Sequence, residues 1–434
     1  MKQDQNTSSE GMTARKPSRN WRSGVIPFLL LLCIILVAST VLTLRAWTRT
    51  TNAGSAVTQH PTTPLQAPDG QALPPLQLSL TQSLLYEEPQ GLFVLPPGQQ
   101  KAAPLQAPGY QYNRAVSPLA LSSDTFLYSG DGIWLANLAT HQFTRVEALP
   151  AGQVVTSMVV SQDKKVLAWS TEPLDGSGKA IVYAGAIGKT KPVYQTTSGQ
   201  CPCFRAFSFA QQSDTMLYLT NDRGDHRTAA FGLWSLDLSA GKQAQPQNIL
   251  ADQGLQVPLA LAPTSNQLLY STFAGYVPVP MNGSTPADIS SVNYANSLLL
   301  ASIQSVDNQL VSPQTILPVQ QNVKDTSDYK WVNTPEFSPD GADLLYVGFT
   351  SNSQSPFVRQ NALYLVPLHA QQGQEQPQLL ATTTAGYVEL GAWLSPSVVT
   401  FYANDALYAL DVTDGAVTQI VQTGSYARSI AALG

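Results

Sequence analysis

Glu336-Phe337-Ser338-Pro339-Asp340-Gly341-Ala342-Asp343-Leu344-Leu345-Tyr346-Val347-Gly348-Phe349, completed by Ala362-Leu363-Tyr364-Leu365-Val366-Pro367-Leu368, is the stretch on which the fold reading turns. An apolar strand ends at Phe337. Pro339 presets φ for a corner, Asp340 can bond local backbone, and Gly341 accepts a left-handed conformation that a β-branched residue resists. Leu344–Phe349 then forms a second strand and Ala362–Leu368 a third, so the stretch is one antiparallel sheet unit.

The unit repeats. Leu84-Leu85-Tyr86, Phe126-Leu127-Tyr128, Leu167-Ala168-Trp169, Met216-Leu217-Tyr218, Leu268-Leu269-Tyr270, Leu344-Leu345-Tyr346 and Thr400-Phe401-Tyr402 align as second strands. Each is followed by a third strand with apolar alternation, such as Leu92–Leu95 or Leu407–Leu410, and by a more polar fourth, such as Gln378–Leu380. Six units carry an inner strand ahead of the aligned core: Leu119–Leu121, Met158–Val160, Ala206–Phe209, Leu259–Leu261, Glu336–Phe337 and Ala392–Leu394. The first unit lacks one, while Ala427–Leu433 is an unpaired strand at the C-terminus. The last strand is therefore expected to complete the first unit and close a ring, which hides two sheet edges.

Units of this kind resemble β-propeller blades. The Phe-Ser-Pro-Asp-Gly turn followed by Leu-Leu-Tyr resembles the repeat of TolB-type and WD-like bacterial propellers, over roughly residues 83–433. The other turns (Ser123-Asp124, Gln162-Asp163, Ser213-Asp214, Ser265-Asn266) are degenerate, and the Gly-His and Trp-Asp pairs of eukaryotic WD repeats do not occur. The expected fold is all-β: a propeller of about seven four-stranded blades over residues 79–434, preceded by one transmembrane helix.

That helix is read from Gly24–Leu44, an uncharged run whose length matches a bilayer's hydrocarbon core of about 20 residues. Lys2, Arg15, Lys16, Arg19 and Arg22 precede it, and only Arg45 and Arg49 closely follow. The positive-inside rule then places residues 1–23 in the cytoplasm as a polar tail and everything after residue 45 outside. Asn52–Ala56 offers an alternative as a signal-cleavage site. The apolar run is longer than a signal's h-region, however, and two arginines intervene, which favours an uncleaved anchor. Pro61, Pro64, Pro68, Pro74 and Pro75 mark residues 45–78 as an extended stalk.

The chain carries −5 overall; its first 44 residues hold +3, leaving −8 beyond them. A mildly acidic ectodomain argues against nucleic acid as partner. The four histidines (His60, His141, His226, His369) share no metal-ligand spacing. Neither a nucleophile elbow nor a phosphate-binding glycine loop is present, so no catalytic residue, metal or cofactor is assigned. Cys201-Pro202-Cys203 reads either as a soft-metal or redox pair, or as a local disulfide without a further role. Arg223-Gly224-Asp225 lies among turn residues and reads as a turn.

Successive aligned cores are 41 to 56 residues apart, except for 76 between Tyr270 and Tyr346. The excess falls at 275–293 and 319–330, loops that emerge on one face of a propeller. Tyr276, Asp288, Tyr294, Asp325, Asp328, Tyr329, Trp331, Phe357 and Arg359 form a candidate binding surface there, alternatively aromatics that pack their own loops. The inner strands listed above in sequence are mostly Ala, Leu, Val, Ser and Phe, so little titratable chemistry is expected in the channel. The functional expectation is a membrane-anchored extracytoplasmic module binding an envelope protein, peptide or glycan. The alternative is a hydrolase or lyase with its site at the channel.

Overall fold

In the computed structural model the described residues are 65–433, excepting 114, 198–199, 201, 223–229, 252–255, 273–294, 296, 305–307, 320–328, 352–358, 369–375 and 384–385. They form seven four-stranded antiparallel sheets. In the first, Arg428–Leu433 is innermost, followed outward by Ser83–Glu88, Gly91–Leu95 and Ala103–Leu105. The C-terminal strand thus completes the first blade, as expected. The remaining inner strands are Leu119–Ala120, Gln153–Val160, Phe204–Phe209, Val257–Leu261, Tyr329–Phe337 and Val388–Trp393.

The apolar core is divided among the gaps between blades. Seven clusters occur, each drawn from two neighbouring blades, and the cluster of blades seven and one closes the circuit with Tyr402 and Leu407 against Leu84 and Tyr86. Strand periodicity explains the Leu-Leu-Tyr repeat. Leu344 and Tyr346 face the fifth blade while Leu345 faces the seventh. A second strand sandwiched in this way must be apolar on both faces. The first, second, third and fifth blades follow the same rule.

Two blades correct the sequence alignment by one residue. In the fourth, Leu217 and Leu219 face the preceding blade and Tyr218 the following one. In the seventh, Val399 and Phe401 face back and Tyr402 forward. The equivalent triplets are therefore Leu217–Leu219 and Val399–Phe401. A run that is apolar on both faces does not reveal its phase, and a slip of one residue exchanges the faces.

The turn that anchored the sequence reading behaves as its residues dictate. Gly341 has φ 72°, Gly341 N donates to Ser338 O at 2.8 Å, and Asp340 Oδ1 accepts from Ser338 Oγ at 2.6 Å and from Ala342 N at 3.0 Å. A Cβ on Gly341 would stand 2.4 Å from Thr264 Oγ1 of the fifth blade. The degenerate turns keep the serine: Ser161, Ser213 and Ser395 accept from Val166 N, Met216 N and Val398 N as Ser338 accepts from Asp343 N.

Residues expected as stalk run, from Leu65 onward, along the outer strands of the last two blades. Gln66 exchanges both backbone hydrogen bonds with Thr382, and Pro74 O and Leu76 N bond Val417. Leu65 is buried in the gap between blades six and seven, with Leu73 packed against the same cluster. The polar tail, the apolar run 24–44 and the stalk before Leu65 lie outside the described residues. Among the described residues no helix is long and apolar enough to cross a membrane.

Candidate functional site

Inner strands that start earlier than apolar alternation suggests bring charge to the channel. Register shifts interrupt the pairing of every inner strand longer than two residues with its second strand. Such bulges re-aim side chains and leave backbone groups for neighbours to satisfy. Asn333 Nδ2 donates to Val388 O at 3.1 Å, Thr334 Oγ1 accepts from Leu390 N at 3.1 Å, Ser170 Oγ accepts from Ala206 N at 2.9 Å, and Ser429 Oγ accepts from Ala392 N at 3.1 Å. Each of these bonds joins one blade to the next.

With the alignment corrected, one ladder position carries polar residues in five blades. The residue after each core triplet pairs with Arg428 in the first blade, Ser157 in the third, Arg205 in the fourth, Asn333 in the sixth and Glu389 in the seventh; in the fifth it pairs with Val257. The expectation of a channel with little titratable chemistry is therefore overturned. The missed residues precede the apolar segments that marked the inner strands. A signal was present: in a chain only 12% charged, Glu87, Glu172 and Asp222 each follow an aligned aromatic residue within four positions.

Most of these charges are matched. Arg205 bonds Asp222 Oδ2 through Nε at 3.0 Å and through a terminal nitrogen at 2.8 Å, with Glu172 Oε1 at 4.0 Å, and all three side chains are almost fully buried. Arg428 Nε donates to Glu87 Oε1 at 2.9 Å, and Tyr110 Oη donates to Glu87 Oε2 at 2.7 Å. Burial opposes the Arg428 charge, but Glu87 and Glu389 outweigh it and hold the guanidinium pKa above its ordinary value. Burial, reinforced by Glu87, raises the Tyr110 phenol and keeps it a neutral donor. Tyr387 donates to Glu389.

Glu336 differs. It lines a cavity of about 330 Å³ with Arg205, Thr156, Ser157, Thr220 and Thr334, drawn from blades three to six. Its side chain is exposed within this half-open cavity. Burial pushes its carboxyl up to about 7; Arg428 opposes the shift and Glu389 adds to it. Among the lining residues, the hydroxyls of buried Thr156 and Ser157 have no hydrogen-bond partner. Among the described residues no group of three or more His, Cys, Asp or Glu side chains is arranged to hold a metal ion.

The loop-face residues are placed unevenly. Tyr276, Asp288, Tyr294, Asp325, Asp328 and Phe357 lie outside the described residues. Tyr329 and Arg359 begin strands of the sixth blade and share Ser351 as ladder partner. Trp331 is buried, with Phe349 as its ladder partner. Cys203 is buried and disulfide-bonded, which removes its thiolate as a metal ligand; its partner sulfur lies outside the described residues. Asn221 ends a strand and Asp222 is bound to Arg205, while Arg223, Gly224 and Asp225 lie outside the described residues. His141 occupies a turn with φ 53°.

No family model and no curated protein matches the chain. Among solved structures it is similar to oligogalacturonate lyase of Vibrio parahaemolyticus, with 11% identity, coverage of 80% of this chain and 85% of that one, and a TM-score of 0.45. It is similar to the tricorn protease over 84% of this chain and 35% of that one, with 10% identity and a TM-score of 0.47. A TolB-assigned protein of Agrobacterium tumefaciens matches over 80% of this chain and 98% of that one, with 12% identity and a TM-score of 0.37. The likeness is one of fold, the ring of four-stranded blades that this chain builds from its own repeats.

Proposed function

We propose that the chain is a membrane-anchored, extracytoplasmic propeller that acts as a binding module for a protein, peptide or glycan of the cell envelope. The observation that carries a binding role over catalysis is the matching of the channel charges. Arg205 and Arg428 are committed to Asp222, Glu172 and Glu87, an arrangement that fixes a scaffold and leaves no free acid–base pair among these residues. The disulfide at Cys203 supports an oxidising compartment, consistent with Gly24–Leu44 as anchor and the basic residues before it as the cytoplasmic flank. A rigid ring with its length variation concentrated at 275–293 and 319–330 is the usual platform for recognition by loops.

A channel-sited hydrolase or lyase has one observation in its favour, the carboxyl of Glu336 at a cavity. General acid–base chemistry needs a second group within hydrogen-bond reach of the same reacting atoms, and Glu336 has no such bonded neighbour among the described residues. Capture from solubilised membranes, using the full chain and a variant lacking 275–293, tests the binding reading. Loss of the recovered partner with the deletion is the expected result; equal recovery from both would sink the loop face as the binding surface.

A further inference from the structure

The channel acids share two guanidinium groups unequally. Both oxygens of Glu87 are occupied, by Arg428 and Tyr110. Asp222 is held by Arg205, Glu172 stands against the same guanidinium, and Glu389 receives the Tyr387 hydroxyl. Glu336 receives no hydrogen bond and makes no ion pair among the described residues. It nevertheless faces a cavity large enough for a small organic molecule.

An unpaired carboxyl that burial desolvates is costly when ionised, and it is relieved by whatever brings a matching charge with donors to its oxygens. The described residues supply no such donor here. Arg205 lines the same cavity but is bonded to Asp222; Arg428 acts on Glu336 through its field, opposed by Glu389. Thr156 and Ser157, at the bulge of their inner strand, also line the cavity, with their hydroxyl oxygens buried and without a hydrogen-bond partner. From blades three to six, then, the groups around the cavity are one matched cation, several hydroxyls and one unmatched acid.

We propose that this cavity is a binding site for a small organic cation, an ammonium or guanidinium compound whose N–H groups bond the Glu336 carboxylate. The proposal deepens the binding-module reading by naming a ligand class for the channel, and it rests on that reading only in placing the role as binding. A bare metal ion fits less well, because the described residues offer no cluster of three ligating side chains. The site also makes occupancy pH-dependent. With its pKa near 7, Glu336 is mostly ionised at pH 8 and mostly protonated at pH 6. The other charged groups around the channel among the described residues are Arg205, Arg428, Glu87, Glu172, Asp222 and Glu389.

Isothermal titration calorimetry of the full chain with 1,4-diaminobutane, and with 1,4-butanediol as its uncharged counterpart, tests this. The diamine is expected to bind and the diol not to bind. Affinity should weaken about tenfold from pH 8 to pH 6, following the ionised fraction of Glu336. Glu336→Gln should weaken the diamine at least tenfold at pH 8, with an unchanged far-ultraviolet spectrum and melting profile no lower than that of the parent. Glu336→Asp should restore part of the affinity. No diamine binding to the folded parent, equal binding of diamine and diol, or full affinity in Glu336→Gln would each overturn the site. If membrane capture by the full chain succeeds while the diamine fails, the cation site falls and the binding module stands.

Discussion

Glu336 is the residue at which stability and function pull apart. Its folded-state pKa near 7 lies above the ordinary carboxyl value of 4.5. The folded chain therefore keeps this proton between pH 4.5 and 7, where the unfolded chain has released it. Stability falls as pH rises through that window, and the full penalty stands above pH 7. Glu336→Gln removes the penalty, so denaturant unfolding should show a gain of about 1 kcal/mol at pH 8 and almost none at pH 5. That figure is set well below the linkage limit because the side chain is exposed to the cavity and solvent there screens it. An identical gain at both pH values would show that the carboxyl is not the source.

At the scale of the element, the segment from Leu65 to Leu76 does what no strand of the ring does. It bonds the outer strands of two different blades and inserts Leu65 into the gap between them. Two otherwise open sheet edges are covered in part, which limits their capacity to pair with another chain. Leu65→Ala should lower unfolding stability by about 2 kcal/mol, the low end for a buried leucine because the site lies at the rim of its cluster. The measurement is a shift of the denaturant midpoint without change of slope. No shift would mean that the strap lies on the blades without contributing to their packing.

At the scale of the molecule, closure is the property on which the rest depends. Each blade buries its two faces against two neighbours, and Arg428–Leu433 closes the ring: it pairs with Ser83–Glu88, bonds the seventh blade through Ser429 and adds Leu433 to the gap between blades one and two. Arg428 also brings its guanidinium to Glu87 at that seam. Ending the chain at Ala427 removes the inner strand of the first blade, leaves buried Glu87 without its cation and opens a strand edge. The truncated chain should lose a single cooperative unfolding transition and aggregate on heating, as followed by calorimetry and light scattering. A sharp transition at the parent's temperature would show that the ring closes by another route.

The sequence by itself determined the repeat, the blade number, the strand that closes the ring and the turn at Gly341, because these follow from local chemistry: period-two apolar patterning, turn residues and an unpaired strand left over at one end. It also marked Trp331 as an aromatic near long loops without showing its burial. Phase was the general limit. Residues 216–218 and 400–402 are apolar on both faces, so the aligned triplets there slipped by one, and only the packing between blades reveals which face each residue takes. The charged ring was hidden for a related reason. Arg205 and Glu389 stand at the starts of strands whose apolar signal begins later, and the partner of Arg428, Glu87, is at the far end of the chain. Local sequence carries no record of such pairings. The tertiary structure alone decided which acids are matched, and left Glu336 facing an open cavity without a bonded partner among the described residues.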